Sequence, residues 1–470
     1  MSLSKTLTSK IILFSTLVII LTISNAGLCS AQGNSVTIKP TNLPILTDPA
    51  LKTELVFKGI KFPTSIAFLG PNDILVLEKN NGTIIRIKNG QIMPAPLLDV
   101  NVSSQSERGM LGIAVAKNAT RNVTYVFLYY TEAPTKDGDD VTAGKEPLGN
   151  RLYRYELVND KLINPKLLLD LPATPGPTHN GGKIVIGPDN YVYLVIGMVG
   201  TTADVKTQTQ NVKSGSEPDG RGGILRITQD GNPVSGPGIL GNTFPLNIYY
   251  AYGIRNSFGI GFDPITGKLW DTENGDLFGD EINLVKPGFN SGWSKVQGLW
   301  KGDNRHSEDI ILHPNGLIDF GGKGKYQTPK FVWNKTVGPT GLAFLNSTKL
   351  GLKYENDMFV GDFGRGVIYD FSLNQRRNEL SLVGPLADKM ANTTKELKDI
   401  IFGEGFGGIT DIKTGPDGYL YILSLHDPAW HSADCDRKKL NNQNNCISFS
   451  TSPVEGTIFR INPVTTRDFP

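Results

Sequence analysis

The chain has 470 residues, a formal net charge of +2 and 20% charged residues, with no basic run or stripe. This argues against nucleic-acid binding. Hydrophobic residues make up 39%, ordinary for a globular chain with a sizeable core. The 53 Gly and 29 Pro are spread along the chain and punctuate short apolar segments, as expected of many strands joined by turns.

At the start, Lys5 and Lys10 precede the apolar stretch Ile11 to Ile23, and small residues follow up to Ala31. Charged start, apolar middle and small-residue end predict a signal peptide over 1–31, cut after Ala26 or Ala31, and hence a secreted, extracytoplasmic protein. The alternative is an uncleaved anchor, the one membrane attachment the sequence offers, although a spanning helix needs roughly 20 apolar residues. Residues 32–50 read as an extended, Pro-containing lead-in.

From there a motif recurs: a strand of the form Gly-x-hydrophobic-x-Arg-hydrophobic or a close variant. It occurs at Gly82 to Ile87, Asn150 to Tyr155, Gly223 to Ile227, Asp280 to Val285, Gly366 to Phe371 and Gly456 to Ile461. Each copy follows a second apolar strand: Ile74 to Glu78, Tyr125 to Tyr130, Tyr191 to Ile196, Lys268 to Thr272, Asp357 to Gly361 and Tyr419 to Leu423. Asp- and Gly-containing turns precede several of these, at Gly187 to Asn190, Phe262 to Gly267 and Gly415 to Gly418. One such unit buries a single face, so copies must stack. Radial stacking buries both faces and leaves only short edges. The expectation is an all-β, six-bladed β-propeller over 51–464 with a tail at 465–470. Thr53 to Ile60 is expected to add a strand to the last blade near Gly456 to Asn462, and Ala387 to Lys398 is the one modest helix candidate.

Chemistry in such a fold sits on converging loops. Pro177 to Lys183 places His179, one of five histidines, in a Gly-rich loop. It is a general-base candidate near neutral pH, or simply a hydrogen-bonding surface residue. Gly253 to Gly259 offers Arg255 and Asn256, a forked cation and an amide suited to planar acidic or carbonyl groups, or to tying loops together. Glu273 to Asn283 is dense in oxygen donors, with Asp276, Asp280 and Glu281, and reads equally as a calcium loop or a solvated acidic turn. In Val360 to Gly366, Asp362 and Arg365 either pair or face a ligand. His426, Asp427 and His431 cluster near the C-terminal end. Once the leader is gone, Cys435 and Cys446 are the remaining cysteines, and an oxidising compartment favours a disulfide between them over free thiols or a metal site.

Taken in order, Phe62 to Phe68, Glu107 to Ile113, His179 to Gly182, Gly253 to Asn256, Glu273 to Asp276, Asp280 to Asn283 and Gly415 to Gly418 resemble the glucose/sorbosone dehydrogenase family. The resemblance spans about residues 53–463 and implies a six-bladed propeller binding pyrroloquinoline quinone (PQQ) and calcium. It also implies oxidation of the anomeric carbon of an aldose to a lactone, with electrons passed to an external acceptor. On that resemblance His179 matches the general base and Arg255 and Asn256 match PQQ contacts, with Arg365 a further cofactor-binding candidate whose cation, like those of Arg108 and Lys183, can compensate for cations the family has and this chain lacks. Gly275 and Asp276 fall where the PQQ-bound calcium is held, and Asp280 and Glu281 lie in a loop associated with structural calcium. The pattern is departed from at Phe258, where the family commonly has Gln, and at Gly364, where it has Lys. Gly408 and Thr410 replace an Arg-x-Arg run, and Met198 replaces an Asp. Because a tricarboxylate needs cationic partners, two further readings stay open: a PQQ-free propeller acting as a binding or scaffold module, and a calcium-dependent lactonase-like hydrolase.

Overall fold

Residues Tyr125 to Tyr130 are all buried, although a strand presents alternate residues to opposite sides. Both sides are covered. Phe127 and Tyr129 join a cluster with Leu194 and Leu225, while Val126 and Leu128 join one with Leu75 and Leu77. The continuous apolar run in the sequence is therefore a strand sandwiched between two neighbouring sheets.

The computed structural model describes residues 43–118, 121–204, 206–299, 315–425 and 455–465. In them the repeated strand pairs form six sheets. Their innermost strands are, in chain order, Pro63–Gly70, Met110–Asn118, Ile184–Ile186, Ser257–Phe262, Pro339–Phe344 and Gly408–Thr414. Each inner strand packs on the next, and the last packs on the first. Six apolar clusters fill the spaces between neighbouring sheets.

The expectation of a six-bladed β-propeller is corrected by the strand pairing, which builds five blades by one rule and assembles the remaining sheet from distant stretches of chain. Five sheets take their first four strands in chain order, outward from the inner strand. The remaining sheet is a composite of both ends: Leu51–Lys61 pairs antiparallel with Glu455–Pro463, Thr53 opposite Ile461 and Ile60 opposite Gly456. An unpaired outer edge invites pairing with other chains, and the N-terminal strand covers it. The other five sheets are not copies either. The third extends to six strands through parallel additions at Phe289–Asn290 and Lys325–Tyr326. The fifth gains Ile45–Leu46 from the lead-in, beside Gly403 and Glu404. The helix candidate at Ala387 to Lys398 instead belongs to two 3-10 turns, Gly384–Asp388 and Glu396–Ile400, around the short strand Met390–Ala391.

One ion pair crosses the ring. Lys183, beside the third inner strand, reaches Asp411 on the sixth, with Nζ 2.6 Å from Oδ1 and the side chains 5% and 1% exposed. These sheets stand three places apart in either direction, so the pair spans the central channel. Asp411 also accepts from Ser65 Oγ at 2.6 Å and from the Ile66 N–H at 3.1 Å, both on the first inner strand. Burial pushes Lys183 down to about 8. Burial alone would raise Asp411, but Lys183 and Lys413 outweigh it and hold the carboxyl below its usual range.

Candidate functional site

The loop entering the third sheet carries His179 in a left-handed conformation, φ 60°, which costs a non-Gly residue about 1–3 kcal/mol. Both of its backbone groups are fixed. Its N–H donates to Glu107 Oε2 at 2.7 Å, and its carbonyl accepts from the Val199 N–H at 3.2 Å. In this pose the ring Nδ1 is within hydrogen-bond distance of the Gly200 carbonyl. A carbonyl only accepts, so Nδ1 bears the proton and Nε2 keeps its lone pair. Burial, followed by the nearby Arg255 cation, pushes the imidazole down to about 3. The ring is neutral at any physiological pH.

The next loop on, between the third and fourth sheets, brings Arg255 and Asn256 to the same place. Asn256 Nδ2 donates to the same Glu107 oxygen at 3.2 Å, and its buried Oδ1 has no partner among the described residues. Arg255 donates from its backbone to Glu273 Oε1 at 2.7 Å. Its guanidinium donates to the Asn274 carbonyl at 3.1 Å and to Asp276 Oδ1 at 2.8 Å. It lies 5.4 Å over the Trp293 ring, with Nε buried and unpartnered among the described residues. The Trp293 indole N–H in turn points at Met198 Sδ, 3.1 Å away. Gly197 lets these loops approach: a Cβ there would lie 2.5 Å from the His179 carbonyl oxygen, 2.7 Å from that of Arg255 and 2.9 Å from Asn256 Oδ1.

The acidic segment is less open than its composition suggests. Asp280 uses one oxygen on the Gly275 N–H and the other on the N–H groups of Val337 and Gly338. Glu281 stands opposite Glu273 on paired strands. It accepts from the Gly298 N–H at 2.6 Å and from Asn283 Nδ2 at 3.1 Å. Burial pushes Asp271 and Glu281 up to about 7, and burial with the Glu281 charge raises Glu273 further. Among the described residues no three His, Cys, Asp or Glu side chains are placed to hold a metal ion. Gly275 and Asp276 stay beside Arg255 through its contacts to Asn274 and Asp276.

Arg365 does not join this group through any bond among the described residues. Its N–H donates to Asp362 Oδ1 at 2.7 Å, and its side chain lines a separate cavity of about 740 Å³ with Tyr369, Lys395, Lys398 and Glu404. Two other buried cations are engaged elsewhere: Arg108 pairs with Asp140 and the Ala173 carbonyl, and Lys183 with Asp411. Gly364 has a local reason to lack a side chain, since a Cβ would lie 2.6 Å from the Val337 carbonyl oxygen. Phe258 is half-buried on its strand. Cys435, Cys446, His426, Asp427 and His431 lie outside the described residues.

Glu107 had no role assigned from the sequence, although it stands in a motif that carried the resemblance. Its importance comes from donors supplied by residues 72 and 149 positions away. The Gly200 carbonyl and the Trp293 ring were likewise beyond any local signal.

The sequence profile described as "Glucose / Sorbosone dehydrogenase" matches residues 60–429. An uncharacterized protein of Synechocystis is 26% identical over 86% of this chain and 92% of its own length. The aldose sugar dehydrogenase YliI of Escherichia coli is 26% identical over 80% of this chain and 90% of its own. In structure, the PQQ-bound aldose sugar dehydrogenase of Streptomyces coelicolor superposes with a TM-score of 0.58 at 23% identity, covering 88% and 99% of the two chains. The profile match over residues 60–429 shows that the chain belongs to the glucose/sorbosone dehydrogenase family.

Proposed function

We propose that this chain is an extracytoplasmic quinoprotein that oxidises the anomeric carbon of an aldose to the lactone with PQQ and calcium. The observation that carries the reading is the neutral His179, fixed as the Nδ1–H form beside Arg255 and Asn256. The fit to PQQ rests on that pair: a cation and an amide on one loop, both with buried polar atoms lacking a partner among the described residues, suit a planar group bearing carbonyl and carboxylate oxygens. Gly275 and Asp276, next to Arg255, would hold the calcium. PQQ bound there would supply a two-electron acceptor for hydride.

The chain's own contribution is proton handling and orientation. Nε2 of His179 accepts the proton of the anomeric hydroxyl as the C1–H leaves as hydride, and the C1–O bond becomes the lactone carbonyl. Arg255, braced by Glu273, Asp276 and Trp293, holds positive charge where negative charge grows. The signal-peptide order of residues 1–31 supports export, and the family's named members support a sugar substrate; the proposal adds an external electron acceptor.

A second reading, a propeller without PQQ, is favoured by one observation: Arg108 and Lys183 are tied to Asp140 and Asp411, so neither is free to replace the cations absent at Gly364, Gly408 and Thr410. Titrating the apoprotein with PQQ and calcium, then assaying dye reduction with a panel of aldoses, separates the two. Saturable uptake with aldose-dependent reduction is expected. No uptake at micromolar PQQ would leave the second reading standing.

A further inference from the structure

Glu107 lies in the segment leading into the second inner strand. Its residue surface is partly exposed, yet its carboxylate is enclosed enough that burial pushes its pKa up, against the opposing pull of the His179 N–H, Arg255, Asn256 and Lys79. A single oxygen, Oε2, receives both the His179 N–H and the Asn256 amide. The base and the amide come from different inter-sheet loops, and this oxygen is their shared attachment.

We infer that Glu107 is a positioning residue for the oxidation proposed above, fixing the backbone of His179 so that its ring is held as Nδ1–H with Nε2 open, and setting Asn256 at a constant distance from it. The inference rests on the dehydrogenase reading for its purpose, but not for its geometry. The left-handed backbone of His179 is disfavoured unless its surroundings determine it, and Glu107 supplies the hydrogen bond on the N–H side. Without that bond the residue is free to return to a right-handed or extended conformation, and the Nδ1–Gly200 bond is lost with it. Glutamine at 107 presents a carbonyl oxygen in the same place and can accept from both donors. Alanine presents none, and aspartate withdraws the oxygen by one methylene.

The test is made on the full protein in two measurements. In the first, the apoprotein is labelled with ¹⁵N-histidine and the His179 ring signals, assigned by their loss in His179→Asn, are recorded at neutral pH. The wild type and Glu107→Gln should show the Nδ1–H form alone, and Glu107→Ala a mixture of both tautomers. In the second, dye-linked aldose oxidation is followed after loading with PQQ and calcium. Glu107→Ala should lose kcat on the order of 100-fold, the effect of displacing a catalytic group by about 1 Å, with KM little changed, and Glu107→Gln should restore it. If the alanine variant fails to fold, Glu107→Asp makes the same comparison. An unaltered tautomer together with an unaltered kcat in a folded alanine or aspartate variant overturns the inference. A tautomer that shifts as expected in a protein that takes up no PQQ would overturn the dehydrogenase reading and leave the positioning role in place.

Discussion

Two buried polar clusters of this molecule are built in opposite ways. Across the channel, Lys183 and Asp411 neutralise each other, and Ser65 and Ile66 donate to the carboxylate. At the loop cluster, Arg255 Nε and Asn256 Oδ1 have no partners among the described residues and His179 has a disfavoured backbone. In the brace the charges neutralise each other, Asp411 Oδ1 meeting Lys183 as an ion pair rather than a hydrogen bond, whereas Arg255 Nε and Asn256 Oδ1 lie at one loop cluster where a single polar ligand can satisfy both. Their difference separates a part that maintains the ring from a part poised to bind.

That contrast can be broken by experiment. The largest effect is expected at the loop cluster: His179→Ala should lower dye-linked aldose oxidation by about 10²–10⁴-fold, the range for loss of a general base, while the urea unfolding midpoint shows no large fall. Activity of wild-type level in that variant would remove the base from the site. The brace should respond in reverse. Asp411→Asn leaves Lys183 buried without its counter-charge and should cost about 3–5 kcal/mol in urea unfolding, while Lys183→Met with Asp411→Leu should recover most of it. A single-variant loss below about 1 kcal/mol would mean that water screens the pair.

Gly197→Ala lies between the two. Its methyl would press on the carbonyl oxygens of His179 and Arg255, so turnover should fall by about 100-fold through displacement of the base, as measured by kcat in the loaded protein. The smallest effect is a pH slope. The unfolded imidazole takes a proton near 6.5 and the folded one near about 3, so the unfolded state holds more protons within that window. Stability from this residue is therefore complete above pH 6.5 and decreases as pH falls toward 3. The stability difference between wild type and His179→Asn, measured at pH 7 and pH 5, should be less favourable to the wild type at pH 5. An equal difference at both would place the imidazole in contact with water.

The strands were legible because each unit repeats an apolar pair, several with a turn before it, and because residues such as Tyr125 to Tyr130 have no polar side to face solvent. The covering strand Thr53 to Ile60 was legible because it precedes the first complete pair and a closed ring needs a strand to shut it. The inequality of the sheets was not: two-residue parallel additions such as Phe289–Asn290 carry no period to detect. In the site, His179, Arg255 and Asn256 were legible as unusual residues in Gly-rich loops, and the structure brings all three together. Glu107 was invisible as a partner, because one oxygen shared between two distant loops leaves no mark in either. Asp280 shows the opposite failure: composition counts its oxygens without revealing that backbone N–H groups already occupy them.

The composite sheet has a bearing on the order of assembly. Glu54 and Arg460, joined by a 2.8 Å ion pair across it, are 406 positions apart. The strand Leu51–Lys61 is made early and has no strand partner until residues 455–463 exist, whereas in the other sheets the first four strands follow one another outward along the chain. Contacts of such long range are slow to form, and they leave an exposed edge in the meantime. This N-terminal strand thus acts as a clasp that closes late, so the ring is shut only once residues 455–463 have been made.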